Sequence, residues 1–460
     1  MAVWKKIKSS NLSYGLRLDP EFYRPDYFEL RKRLDATGVY LISDIKEDIG
    51  YGLQAEPNYL EYGVDYIRAL NLKDIGICGE ILKIDREQVP SKNYIAKEGD
   101  ILITRSGANC GDTGIIENGF IGATYGSYII RVRIKKLNPF FVFTFLQSKF
   151  GRLQTIQIRT GLAQPNLSIP YIENLIQIPK NISNNIQNKI EILVKNAFQK
   201  QREIEKLYKE AGCELLERMD WNKVDAKHVL DYKTTSKDIF ENERLDPEFY
   251  QPKFEKLIRH LKKMGSIKLG EFCPIVKRGI SPQYTESGEV FIVNSQNLGA
   301  NGLIDTTSLE KTSLDYFNEE KNFAAQLAQF DVLTYATGAY IGRTNTWLEK
   351  EKAMAGIDCI ISQSDKNICD PVYLSLFLNS TVGLMQANQR ASGSAQRHLY
   401  PKDIKQYEIF IPQNKTGKPD LEWQKKLADK IIHAHKAKKI AKQKLQEAKE
   451  LVEKEIKKLI

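Results

Sequence analysis

The sequence predicts an α+β protein: two similar globular domains in a pseudo-two-fold arrangement, joined by two long antiparallel helices that form a coiled coil. Three observations predict it. The chain repeats itself once, each half runs through glycine-broken strand patterns, and each half closes on a long helical stripe. A period near half the chain means whole-domain duplication rather than a solenoid.

The repeat is clearest at LDPEFYRPDYFELRKRL (18–34), which returns as LDPEFYQPKFEKLIRHL (245–261). Later landmarks recur in the same order: EGDILITRSG (98–107) as QFDVLTYATG (329–338), with Asp100 on Asp331 and Gly107 on Gly338. NPFFVFTFLQSKFG (138–151) returns as DPVYLSLFLNSTVG (370–383), and RTGLAQ (159–164) as RASGSAQ (390–396). An Ile-Pro pair then follows in each copy, Ile178-Pro179 and Ile411-Pro412. Asp19 and Asp246 are 227 residues apart and Gly161 and Gly393 are 232 apart, so the copies differ by only about five inserted residues.

Each half opens with a short amphipathic helix carrying Phe28, Leu30 and Leu34, or Phe254, Leu257 and Leu261. The aromatic pairs Phe22-Tyr23 and Phe249-Tyr250 are expected to pack beneath each domain. Short strands follow, at 66–77, 98–107 and 126–134 in the first copy, where β-branched and aromatic residues alternate with turn formers. Asn138-Pro139 and Asp370-Pro371 each read as an N-cap followed by proline at the first helical position.

The long helices are expected over about 183–218 and 420–460. Their apolar stripes run through Ile186, Ile190, Leu193, Ala197, Ile204, Leu207, Ala211 and Leu215, and through Leu427, Ile431, Ala434, Ala441, Leu445, Ala448, Val452 and Leu459. Asp420 is the expected N-cap of the second. At about 1.5 Å per residue each is on the order of 55–60 Å long. Such stripes need a partner, and each other is the simplest one. The expected divisions are 1–182 and 245–415 for the globular domains, 183–220 and 416–460 for the helices, and 221–244 for a linker.

A chain of 460 residues with 42% hydrophobic content suits more than one soluble domain. The longest apolar runs, such as 140–146, fall far short of a membrane span, and the first residues lack a signal-peptide core. A cytoplasmic protein is expected, with no membrane partner. Cys78, Cys110, Cys213, Cys273, Cys359 and Cys369 form no CxxC pair, and His433 and His435 sit two apart on different helix faces. No metal and no cofactor are expected. The net charge of +10 and pI near 9.0 favour a polyanionic partner.

The ordered and duplicated landmarks resemble the specificity (S) subunit of Type I restriction–modification systems, over essentially the whole chain. The resemblance implies two target recognition domains, each reading one half of a bipartite asymmetric DNA target. It also implies that the long helices set the spacer and dock methyltransferase (M) subunits, two of them, with restriction (R) subunits joining through the complex. The chain itself does no chemistry in that family.

Candidate DNA contacts fall in three sets. Thr104, Arg105, Ser106, Gly107 and Asn109 follow the GDIL strand, matched by Thr337, Gly338 and Arg343; glycine and hydroxyls admit a phosphate, and Arg can grip guanine O6/N7. Arg159, Thr160, Gln164 and Asn166 are matched by Arg390, Ser392, Gln396 and Arg397; Gln and Asn there have the geometry to pair with adenine N6/N7, and the recurrence of the loop favours fixing structure or holding phosphate. Asn71, Asn294, Gln296 and Asn297 form the third set, with backbone turn bonding as the plainer reading. Lys277 and Arg278 occur only in the second copy.

NPFF at 138–141 is close to the adenine-methyltransferase (N/D)PP(Y/F) loop, but lacks its second proline, as does DPVY. No FxGxG loop, PD…(D/E)xK array or HNH-type cluster accompanies it, which argues against an enzyme. The alternative is a protein-interaction scaffold that organises partner subunits without base readout, to which basic runs such as 438–449 are equally suited.

Overall fold

The computed structural model describes residues 17–460, apart from 74, 162, 300, 301, 305, 307, 308, 394 and 395. Leu162, Ser394 and Ala395 of the paired RTGLAQ and RASGSAQ loops therefore lie outside the described residues, as does Asp74. The chain divides into two units. One holds the described residues up to Arg202 together with Lys438–Ile460; the other is Glu203–Ala437.

In the first unit, strands Lys46–Tyr51, Ile129–Ile134, Ile101–Thr104 and Thr113–Ile115 lie side by side in that order, antiparallel throughout. Val64–Ile67 anchors a second sheet, parallel to Thr124–Tyr125 and antiparallel to Leu82–Ile84. The β-branched residues explain these elements: Ile101, Ile103, Ile130 and Val132 bury side chains in the main core, while Leu102 and Ile129 face a smaller one. Alternation thus fills both faces of the strands.

In the second unit the order is Ile275–Arg278, Cys359–Gln363, Val332–Tyr335 and Thr344–Thr346, again antiparallel. Its second sheet sets Val290–Val293 parallel to Ala353–Ala355 and antiparallel to Glu310–Thr312. The strand order of the first unit is thus repeated, giving the mixed α+β content expected.

The capped helices form as expected. Asn138 Oδ1 accepts from Phe140 N–H at 2.9 Å ahead of Pro139–Gln147, and Asp370 Oδ1 from Val372 and Tyr373 ahead of Pro371–Asn379. Burial raises the pKa of Asp370. Cap bonding explains NPFF and DPVY without chemistry.

The Ile-Pro landmark needs correcting. Val39 pairs with Pro179, but its counterpart Ser266 pairs with Phe410, so Ile411-Pro412 falls beyond the ladder. There Pro412 carbonyl accepts from Asp420 N–H at 2.7 Å and closes a turn absent from the first copy.

The long helices are Asn184–Arg218 and Leu421–Leu459. Asp420 caps the second, accepting from Trp423 N–H at 3.1 Å. Within the first unit, Ile190, Val194, Ala197 and Phe198 share a core with Ala441, Leu445, Ala448, Val452 and Ile456. Within the second, Ile204, Ala211 and Leu215 share one with Leu427, Ile431 and Ala434. Lys426 meets Glu214 at 3.1 Å and Arg218 meets Asp420 at 3.3 Å, a register in which one number rises as the other falls.

Candidate nucleic-acid interface

The two loops singled out separately in each half are neighbours. In the first unit Ser106 bridges Asn166, Gly107 N–H donates to Pro165 carbonyl at 3.1 Å, and Leu167 N–H donates to Arg105 carbonyl at 2.8 Å. In the second unit Thr337 bridges His398, and Gly338 N–H donates to Arg397 carbonyl at 3.0 Å. Each loop is closed by its own pair, Thr160 with Asn166 and Ser392 with His398. Gly161 (φ +82°) and Gly393 (φ +97°) turn these loops, and a Cβ there would press within 2.6 and 2.3 Å of the Gln164 and Gln396 carbonyls. Only glycine fits that bend.

This geometry corrects the pairing of the copies. Thr160 matches Ser392 and Asn166 matches His398, so Arg397 stands opposite Pro165 and Arg390 opposite Ile158. Arg159 and Arg390 are not equivalents. Both are nonetheless turned inward. Arg159 donates to Cys110 carbonyl, and burial pulls the Arg390 guanidinium below its ordinary pKa.

Beneath both loops lies a clamp that sequence reading missed. Arg17 grips Asp19 at 2.8 and 2.6 Å and donates to the carbonyls of Ile158 (3.1 Å) and Arg159 (2.7 Å). Arg244 grips Asp246 at 2.7 and 2.8 Å and donates to Arg390 and Ala391 carbonyls at 2.8 and 2.9 Å. Tyr23 and Tyr250 hydroxyls donate to the carbonyls of these arginines, whose guanidinium groups lie over Phe22 and Phe249. The signal was legible one residue earlier, since the repeat begins as RLDPEFY. Phe22, Tyr23 and Phe249 are buried, as their recurrence led us to expect, and Tyr250 is half-buried.

The remaining candidates separate by what already holds them. Thr104 is enclosed. Arg278 donates to Ile357 carbonyl at 2.7 Å and Thr337 Oγ1 at 2.8 Å, and Arg397 to Asn388 Oδ1 at 2.8 Å. Arg105 lies over the Tyr51 ring at 4.6 Å and Arg343 over the Tyr340 ring at 3.7 Å. The side chains of Asn109, Gln164, Gln296, Gln396 and Lys277 make no hydrogen bond with described residues; the first four are exposed. Gly338, Tyr340, Arg343, Gln396 and Arg397 line a cleft of about 700 Å³ in the second unit.

The third set occupies a turn of its own. Asn71 is buried, accepting from Arg68 N–H at 2.9 Å and donating to Cys78 and Glu80 carbonyls. Its counterpart is Asn297, which accepts from Asn294 N–H at 2.8 Å. Asn294 therefore matches Arg68, and donates to Glu310 at 2.9 Å. Among the described residues no cluster of His, Cys, Asp and Glu could hold a metal, and no helix is long and apolar enough to cross a membrane.

Residues 262–449 match the family model of the Type I restriction modification DNA specificity domain. Over those residues the chain is similar to a Type I restriction–modification DNA specificity domain. The family read from the duplicated landmarks is thereby borne out. Comparison with curated proteins gave no match. Among solved structures the chain is similar to the Type-I restriction-modification system S subunit from M. genitalium, with 14% identity over 92% of this chain and 95% of that one, at a TM-score of 0.47. It is also similar to the HsdS subunit from Thermoanaerobacter tengcongensis, with 15% identity over 92% and 95%, at 0.28.

Proposed function

We propose that this specificity protein is the non-catalytic DNA-reading subunit of a Type I restriction–modification complex. Residues 1–182 and 245–415 each read one half of a bipartite, asymmetric target. The two long helices pair as an antiparallel coiled coil, set the spacer and dock two methyltransferase subunits, through which restriction subunits can join.

One observation carries this reading: the same loop junction stands on the same sheet in both units, with different side chains. A constant frame with divergent loops is what two readers of unlike half-sites require. Glycine turns and free amides give close backbone approach to phosphate and donors for base edges. Asn71, whose amide is consumed by its own turn, drops out of the contact set, while Asn109, Gln164, Gln296 and Gln396 remain in it.

Mapping host-genome methylation with and without this gene tests the proposal. Loss of one bipartite adenine-methylation motif is expected. An unchanged methylome would leave a partner-organising scaffold as the better account.

A further inference from the structure

Six arginines belong to the loop junctions and the strand beside them, and four are committed to the protein. Arg159 holds Cys110 carbonyl, Arg390 is drawn into the interior, Arg278 holds Thr337 and Ile357, and Arg397 holds Asn388. Arg105 and Arg343 differ. Neither guanidinium makes a hydrogen bond or ion pair with a described residue, yet each is fixed against a tyrosine ring, at 4.6 and 3.7 Å. Resting on Proposed function, we infer that Arg105 and Arg343 are the guanine readers of the first and second half-sites.

A ring contact uses the face of the guanidinium and leaves the N–H fork along its edge unspent. It also removes rotamer freedom before binding, so less is lost when the fork engages. The acceptor pair that a planar fork grips in the major groove is guanine O6 and N7.

Phosphate is the competing acceptor, and position argues against it. The phosphate backbone is alike in both halves of any duplex, so a phosphate contact made from a repeated frame should recur at matching positions. These do not. Arg105 opens its loop, where the second copy has Ala336; Arg343 closes its loop, where the first copy has Asp112, which pairs with Arg152 at 3.0 Å. Placing the fork at opposite ends of one loop gives the two units different reading geometries.

The test is a reconstituted complex with the methyltransferase subunits, assayed for the motif it methylates and for binding to duplexes with single base-pair changes. With Arg343→Ala, discrimination at one G·C pair of one half-site should fall by about tenfold to a hundredfold. Arg105→Ala should do the same in the other half-site only. Arg343→Lys and Arg105→Lys guard against misfolding, because they keep the charge and lose the fork; they should lose discrimination while general affinity holds. Equal weakening on every duplex, with a shallower salt dependence, would mark phosphate contacts and overturn the inference. So would a motif unchanged in all four variants, or a half-site containing no G·C pair. A wild-type complex that methylates no bipartite motif would instead sink the proposed function, and this inference with it.

Discussion

Arg17 and Asp19 are joined by a two-pronged ion pair whose arginine also holds the backbone of a loop about 140 residues away in sequence. Arg244 and Asp246 repeat it in the second unit. The clamp explains why RLDPEFY persists where the loops diverged. A fork is needed to satisfy a carboxylate and two carbonyls at once, and only arginine supplies it. Arg17→Ala or Arg244→Ala should destabilise its own unit by about 1–3 kcal/mol. Each should also blunt recognition of one half-site. Urea unfolding and methylation mapping check both effects, and Lys at either position should fail to restore the loop.

The same clamp has a pH signature. The Arg17 guanidinium holds the Asp19 carboxyl below its ordinary pKa. A carboxylate with a lowered folded-state pKa adds stability above its unfolded pKa, near 4. That contribution disappears as pH falls through the lowered folded value. Asp19 is partly exposed, so solvent screening keeps the effect small. Asp19→Asn should therefore be less stable than the parent at neutral pH and converge with it in acid. A gap that stayed constant down to pH 2 would show that the ion pair contributes nothing.

A second pair of equivalents differs in the charge of its partner. Asp100 is fully buried and gripped by Arg133 at 2.7 Å through both oxygens. Its counterpart Asp331 meets the neutral Gln363 at 3.2 Å, and burial raises its pKa. Arg133→Gln removes the bonded cation from a buried carboxylate, leaving Arg131 at 4.0 Å and the Lys97 N–H, and should cost about 3–5 kcal/mol. Gln363→Ala removes a neutral partner and should cost about 1–2 kcal/mol. Parallel thermal melts of the two variants give the comparison.

The duplication, the capped helices and both long helices were legible because each leaves a local signature: repeated strings, Asn-Pro or Asp-Pro starts, and a stripe at helical spacing. Pairing within the loops was not. RTGLAQ and RASGSAQ align by letters on their arginines, but a hydrogen-bonded bridge, not a letter, fixes which residues correspond. That is why Arg159 and Arg390 were wrongly matched. Arg17 and Arg244 recur one residue ahead of LDPEFY beside their carboxylate partners, but the loop carbonyls they also hold leave no residue-type signal. The amide of Asn71 had the right chemistry for a base edge, yet its own turn had already used it.

Both long helices also carry a latch that sequence does not advertise. Gln187 Oε1 accepts from Asn138 N–H at 3.0 Å, and Gln424 Oε1 accepts from Asp370 N–H at 2.8 Å; both glutamines are buried. Their amide nitrogens donate to Ile182 and Ile368 carbonyls, at 2.9 and 3.1 Å. Each glutamine, the fourth residue of its helix, thus ties the helix to the capped turn of its unit. Gln424→Ala would leave a buried N–H without a partner, at a cost of about 1–3 kcal/mol. Gln424→Glu should be worse than its near-identical shape suggests, since it removes the donor to Ile368 and sets a second carboxyl in the low-dielectric site that already raises Asp370. The glutamate variant should regain stability as pH falls and its new carboxyl protonates, whereas the alanine variant should not. Denaturation midpoints at pH 5 and pH 8 separate the two; equal pH responses would mean that the latch is solvated and holds nothing.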